Sequence, residues 1–413
     1  MEVELSSRER IIAALSHQEP DALPIDFGGM RSTGIAAAAY NQLKDHLGIE
    51  GSLARLYDVG QQLAEPELNV LDRMGGDVVQ VHRLRPSFAI PIDAWKEGAA
   101  TDGSPMLVPR GYCPAPGARG GFDLLDGATP VAHMPKRGLY FDTVFHPMAH
   151  VRSVADIDEI PVEEVSDEEV RFIGEQVTHL RQTTDRAILL AFGGNILEAG
   201  QQAWGFERFM VALARERDLV HHWLDRLTAA YLRGLDNILS AVGRQIDVVQ
   251  FGDDLGMQQR PQISVRMYRE LIKPYHQRQF QLVRERFPAV KVFFHSCGSI
   301  RPLIPDLIEA GVQILNPIQI SAEGMDPREL KREFGQHLVF WGGGADTQRV
   351  VPFASMAQIR AHVRELISIF APGGGYVFTQ VHNIQADVPP EKILAIYDTA
   401  LESRPVRGAN RCP

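Results

Sequence analysis

From about residue 164 onward, short apolar runs alternate with longer stretches of helical period. A helix over 165–182 leads to the apolar run Ala187-Ile-Leu-Leu-Ala-Phe-Gly193, and helices over 204–216 and 218–242 lead to Asp247-Val-Val-Gln-Phe-Gly-Asp253-Asp254. Helices over 264–287, 300–310, 327–334 and 355–370 each precede a further run, at 291–295, 313–316, 338–342 and 375–380, and a last helix covers 389–399. Upstream, Ile11, Ile12 and Leu15 stripe a helix over 6–18 capped by Ser6 or Ser7. Ile25-Asp-Phe-Gly28-Gly29 reads as a short strand entering a glycine turn, helices are expected over 34–46 and 49–58, and 77–81 is a second strand. Residues 83–150 lack a helical period and are rich in proline, glycine and isolated aromatics, which predicts an irregular insertion of short antiparallel strands covering one mouth of a larger fold.

Strands that are apolar on both faces and alternate with helices build parallel sheets. Six such strands plus those near 25 and 78 make eight, which predicts an α/β fold, a (β/α)8 TIM barrel, over residues 1–403, with 404–413 as a flexible tail. An open sheet is the alternative, although no helix opens with a dinucleotide-binding glycine pattern. The 413 residues and 45% hydrophobic content suit one large barrel. A net charge of −10 without basic blocks argues against nucleic acid and anionic membranes as partners. Cys113, Cys297 and Cys412 form no disulfide framework, Met1–Arg10 has no signal core and no apolar run reaches a membrane span, so a cytoplasmic protein is expected.

In a barrel of this kind the chemistry sits at the C-terminal ends of the strands. Those ends carry Asp26, Arg31, Asn195, Glu198, Asp253, Asp254, His295, Cys297, Asn316, Gln319, Asp346, Gln348, Gln380, His382, Asn383 and Gln385. Each taken singly is a helix cap or loop contact, and Asp346 in particular fits a cap. His295 and Cys297 lie two apart on a strand, so their side chains leave one face, and thiolate with imidazole suits zinc. His382, at the end of the last run, is the third candidate ligand; Asp254, Glu198 or Gln380 completes or supports the sphere. One thiolate and two neutral imidazoles leave a divalent ion at net +1, a stronger Lewis acid than a neutral site. Cys412 falls in the tail, and Cys113 sits in the insertion, from which it would have to fold over the site.

Asp254, Glu198 and Asp253 are the candidate catalytic acids. Arg31, Gln380 and Asn383 are candidates for substrate binding, with a surface salt bridge the bland reading of Arg31. Gly342 and Gly343, with Asn316 and Gln319, are candidates for binding a cofactor at the mouth, although no P-loop lysine accompanies the glycines.

Arg8 to Pro24, Gly252-Asp253-Asp254-Leu255-Gly256, His295-Ser-Cys297-Gly298 and Pro389-Pro-Glu-Lys-Ile393 resemble the uroporphyrinogen decarboxylase superfamily over nearly the whole chain. That resemblance implies a (β/α)8 barrel with its cleft at the C-terminal mouth. The true decarboxylases carry an arginine-rich loop of the form Met-Arg-Gln-Ala-Gly-Arg for substrate carboxylates, whereas this chain has Phe27-Gly-Gly-Met30-Arg31-Ser-Thr-Gly34, with one arginine. The corrinoid-dependent methyltransferase branch has His-x-Cys followed far downstream by a cysteine. His295 and Cys297 match, and counting back from Glu391 puts His382 where that cysteine would stand. The resemblance implies zinc, a corrinoid partner protein carrying methylcobalamin or cob(I)alamin, and a small methyl donor or acceptor, such as a methyl ether in O-demethylation. Two alternatives are a metal-free decarboxylase of a small acid and a non-catalytic corrinoid- or ligand-binding barrel. Assembly as a homodimer is left open.

Overall fold

A computed structural model describes residues 4–100 and 102–404. Seven parallel strands follow one another in the order Val78–Val81, Ala187–Gly193, Val248–Gly252, Lys291–His295, Ile314–Asn316, Val339–Trp341 and Tyr376–Val377. The eighth place is taken by the segment around Ile25. It makes a single parallel bridge to Phe378, with Asp26 N donating to Phe378 O at 2.8 Å and Phe378 N to Pro24 O at 2.9 Å. On its other side, Asp77 N donates to Ile25 O at 2.7 Å, and Asp77 Oδ2 accepts from Ile25 N at 2.9 Å. The ring of eight is thereby closed, as the alternating pattern predicts.

Val78, Leu189, Val248, Phe293, Ile314, Val339, Trp341 and Val377 fill the interior of the barrel. The alternate positions, among them Val249, Val292, Phe294, Leu315 and Phe340, pack with the surrounding helices, as period-two geometry requires. The helix Ser7–Leu15 starts at a capping box between Ser6 and Glu9 and sends Ile11, Ala14 and Leu15 into the interior cluster, closing the barrel floor. Asp77 anchors that helix to the seam. It is 1% exposed and accepts from Ser7 Oγ at 2.8 Å and Arg10 Nη1 at 2.9 Å.

The insertion matches its expectation. Trp95–Ala99 pairs with Pro105–Pro109, and Ala115–Pro116, Phe122–Asp126, Thr129–Met134 and Asp142–Thr143 form a second antiparallel sheet. The helix expected over 49–58 is not formed. Arg55–Asp58 is a strand, antiparallel to Leu63–Glu65 and parallel to Pro105–Pro109. Its partners come from later in the chain, so local periodicity does not reveal it. Leu68–Met74 is a helix that the pattern does not announce. The helix expected over 204–216 is Phe206–Arg215, and Gly205 separates it from a further helix, Leu197–Trp204. The long helix over 264–287 has a π segment at Tyr268–Ile272, just before Pro274, which has no N–H to give to the preceding turn. Arg404, expected in the frayed tail, donates to Leu23 O at 2.9 Å and Gly75 O at 3.1 Å. Residues 405–413, with Cys412, lie outside the described residues.

Candidate metal centre

His295 is the last residue of the strand Lys291–His295, paired with Gly252 on one side and Asn316 on the other. Beyond it the ladder stops and two loops meet. A Cβ on Gly298 (φ +89°) would come within 2.5 Å of Gly256 C, and one on Gly256 within 2.4 Å of Cys297 O. The glycines of Asp253-Asp254-Leu255-Gly256 and of Ser296-Cys297-Gly298 are therefore needed for backbone-to-backbone contact, and that contact brings Asp254 beside Cys297. Asp254 Oδ1 accepts from Cys297 N at 2.7 Å.

Asn316 orients the imidazole. Its Nδ2 donates to Trp341 O at 2.8 Å, so its Oδ1 faces His295 Nδ1, at 2.6 Å. A carbonyl oxygen only accepts, so Nδ1 carries the proton and Nε2 faces the cleft. Around Nε2 lie Ser32 Oγ at 3.3 Å, Asp254 Oδ1 at 3.4 Å and Cys297 Sγ at 3.5 Å. Ligand atoms of Asp254, His295 and Cys297 all fall within 4.8 Å of one another. Nitrogen, thiolate and carboxylate at that spacing are a donor set that zinc accepts.

The electrostatics show how much negative charge gathers there. Burial alone would push His295 down, but Cys297 and Asp254 hold it well above its ordinary value. Burial, with Asp254 adding to it, pushes the Cys297 thiol up. Asp254 is held low against burial by its bond to His295. Glu198 is pushed up to about 7, first by burial and then by the charges of Asp254 and Asp253. Its Oε2 accepts from Asp254 N at 3.0 Å and Asn195 Nδ2 at 2.6 Å.

His382 lies outside that close group. It lines a cavity of about 340 Å³ together with Cys297, Gln319, Asn383 and Tyr140. Burial and the charge of His295 lower it to about 4, so its ring is neutral at pH 7. The third donor that geometry supplies is thus Asp254, where the sequence pattern names His382.

Several expected site residues also hold the architecture together. Asp253 is fully buried: its carboxylate accepts from the amides of Ile196, Leu197 and Glu198 at 3.1, 2.6 and 2.7 Å and from His276 Nε2 at 3.0 Å, which caps the helix Leu197–Trp204. Gly342 and Gly343 have a packing role of their own. They are buried, and a Cβ on Gly342 would lie 2.2 Å from Pro317 O. Gln380 is fully buried, with Nε2 donating to Thr33 O at 2.8 Å and Oε1 accepting from the Tyr397 hydroxyl. Arg31 sets its Nε 2.5 Å from Asp58 Oδ2, and Asp58 is fully buried. Asn383 Oδ1 accepts from Gly34 N at 2.9 Å and its Nδ2 donates to Gln61 at 2.7 Å, which ties the glycine loop to the last strand. Gln319 accepts from Gly298 N at 2.7 Å and still lines the cavity. Asp346 caps the turn at Gln348 and Arg349, both at 2.8 Å, whereas the helix after the strand Val339–Trp341 is capped by Ser355. Ser32 and Tyr140 reach the cleft without any signal in the sequence pattern. Cys113 is exposed. Among the described residues no helix is long and apolar enough to cross a membrane.

Comparison with known proteins agrees with this architecture. A family model described as uroporphyrinogen decarboxylase matches residues 143–403. The chain is 28% identical to a uroporphyrinogen decarboxylase of Thioalkalivibrio sulfidiphilus over 278 residues, covering 63% of this chain and 73% of that protein. It is 26% identical to one of Alkalilimnicola ehrlichii over 288 residues, covering 66% and 71%. Among solved structures, a methyltransferase from Methanosarcina mazei superposes with a TM-score of 0.58 at 16% identity, over 97% of this chain and 99% of that one, a likeness of fold.

Proposed function

We propose that this chain, which belongs to the uroporphyrinogen decarboxylase family, is a zinc-dependent methyltransferase that moves a methyl group between a small substrate, such as a methyl ether, and the cobalt of a corrinoid protein. The observation that carries the reading is the convergence of Asp254, His295 and Cys297 on one point of the mouth. His295 and Cys297 hold the zinc; Asp254 is the donor nearest to them, and His382 the donor that the motif names. With Asp254 the site is neutral, with His382 it keeps +1, so the choice sets its Lewis acidity. Zinc bound there would polarise the oxygen or sulfur of a methyl donor, or lower the pKa of an accepting thiol.

The chain's own residues do the rest. Asn316 fixes which imidazole nitrogen faces the cleft. Glu198, which titrates near neutral pH, holds a proton that it can pass to a departing oxygen. The cavity of about 340 Å³ suits a small substrate, and Tyr140 from the insertion borders it. The corrinoid partner docks over the mouth. A metal-free decarboxylase reading draws on the named relatives, but it needs cationic anchors for carboxylates. Arg31 is the arginine in the matching loop, and Asp58 already neutralises it.

Metal analysis of the purified protein tests the proposal. Near-stoichiometric zinc is expected, lost in His295→Ala and Cys297→Ala. Zinc loss in Asp254→Ala but not His382→Ala assigns the third position to Asp254, and the reverse assigns it to His382. A folded, zinc-free protein that releases carbon dioxide from a small acid would overturn the reading in favour of decarboxylation.

A further inference from the structure

Of the three side chains around His295 Nε2, one comes from the far end of the chain. Ser32 Oγ lies 3.3 Å from Nε2, beside Asp254 Oδ1 at 3.4 Å and Cys297 Sγ at 3.5 Å. Ser32 belongs to the glycine loop that follows the strand position around Ile25, and that loop is tied at both ends. Gly29 N donates to Asp26 Oδ1 at 2.6 Å, and Gly34 N to Asn383 Oδ1 at 2.9 Å. Across the loop, Gly28 N donates to Thr33 O and Thr33 Oγ1 to Met30 O, both at 3.0 Å. The backbone that carries Ser32 is therefore set without a ligand.

Two observations give its hydroxyl a role. The first is the set of separations. A tetrahedral zinc with bonds of about 2.0 Å to nitrogen, about 2.1 Å to oxygen and about 2.3 Å to sulfur keeps nitrogen and oxygen about 3.3–3.4 Å apart and nitrogen and sulfur about 3.5 Å apart. The separations from Nε2 match, with Ser32 among them. The second is the hydroxyl's own bonding. Ser32 is 9% exposed, and among the described residues His295 Nε2 is the sole hydrogen-bond partner of its Oγ. With the ring proton on Nδ1, Nε2 has a single lone pair. When a cation takes that pair the hydroxyl loses its acceptor, and a buried hydroxyl without a partner is costly. The cost is removed if Oγ turns a lone pair of its own to the same cation.

We infer that Ser32 is the fourth metal donor, beside His295, Cys297 and Asp254, and the one that the small substrate displaces. This rests on the reading that the mouth holds zinc. Cys297 and Asp254 donate as anions, and the His295 ring is fixed by Asn316. A neutral hydroxyl is the weakest of the four, so it marks the exchangeable position that a catalytic zinc site keeps. A substrate oxygen or sulfur without charge takes its place and leaves the charge of the donor set unchanged.

Cobalt(II) reports the donors of such a site through its absorption, without any methyl transfer. The purified full chain is stripped with a chelator, checked for folding by circular dichroism and titrated with cobalt(II). The unaltered chain should take up one equivalent, with the visible bands of a four-coordinate centre and a thiolate-to-cobalt charge-transfer band. Ser32→Ala should shift the visible bands and weaken cobalt about three- to tenfold, the worth of one neutral donor. Ser32→Cys should supply a second thiolate and raise the charge-transfer band about twofold. Azide, as a probe of the exchangeable position, should change the spectrum of the unaltered chain and of Ser32→Ala but not that of Ser32→Cys, whose thiolate does not yield. Spectra and affinity indifferent to Ser32→Ala, no added thiolate band in Ser32→Cys, or azide binding equally well to Ser32→Cys would each overturn the role of Ser32 while the metal reading stands. No cobalt uptake by the unaltered chain would overturn both. Should Ser32→Ala fail to fold, the Ser32→Cys spectrum decides.

Discussion

Glu198 sits where three carboxylates crowd one loop junction, and its titration is the sharpest residue-scale consequence. Its folded pKa of about 7 lies above the ordinary 4.5. Between those values the folded chain binds a proton that the unfolded chain has released, so this group's stabilising contribution is present in acid and is lost as pH rises toward and through about 7. The loss is bounded at about 3 kcal/mol. In chelator-treated protein, Glu198→Gln should therefore gain melting temperature relative to the unaltered chain as pH goes from 5 to 8. Melting curves at the two pH values check this, and a constant gap would remove the raised titration. As the acid for an oxygen leaving group, Glu198 predicts that Glu198→Gln slows methyl transfer across the pH range while zinc content stays intact.

At the scale of elements, the turn after Val339–Trp341 carries a packing constraint that resembles a binding signal. Gly342 has φ +124°, and a side chain there would collide with Pro317 O. Gly342→Ala should cost roughly 2–4 kcal/mol in denaturant unfolding while leaving zinc content of the folded protein intact; a variant of unchanged stability that has lost a ligand would restore the cofactor-binding reading. This case shows where the sequence was legible and where it was not. The strands could be read because they are apolar on both faces, and His295 with Cys297 because two-residue spacing fixes a common face. The Arg55–Asp58 hairpin was hidden because its strands are four and three residues long and its other partner, Pro105–Pro109, is distant in the chain. Asp253 and Asp254 look equivalent as neighbours, yet successive side chains beyond a strand diverge: one goes beneath the helix Leu197–Trp204 and the other reaches the cleft. Asp254 as the donor nearest His295 depends on the contact of two glycine loops, and no periodicity encodes that.

For the whole molecule, the closed ring and the insertion divide the labour. The eighth strand position is held by one bridge and by the Asp77 cluster, so the N-terminal segment is fastened at the seam, and its glycine loop, held by Asp26 and Asn383, carries Ser32 to His295. The floor closed by Ile11, Ala14 and Leu15 has a consequence for traffic. A chamber sealed below fills and empties from above. If a carrier protein settles over that mouth to bring its cobalt to the substrate, the small molecule must already be aboard, and it departs after the carrier lifts off. Turnover should then follow a compulsory order. An excess of carrier should slow the reaction by blocking entry, and more of the small substrate should relieve that block; initial-rate patterns of random order would show a second way in.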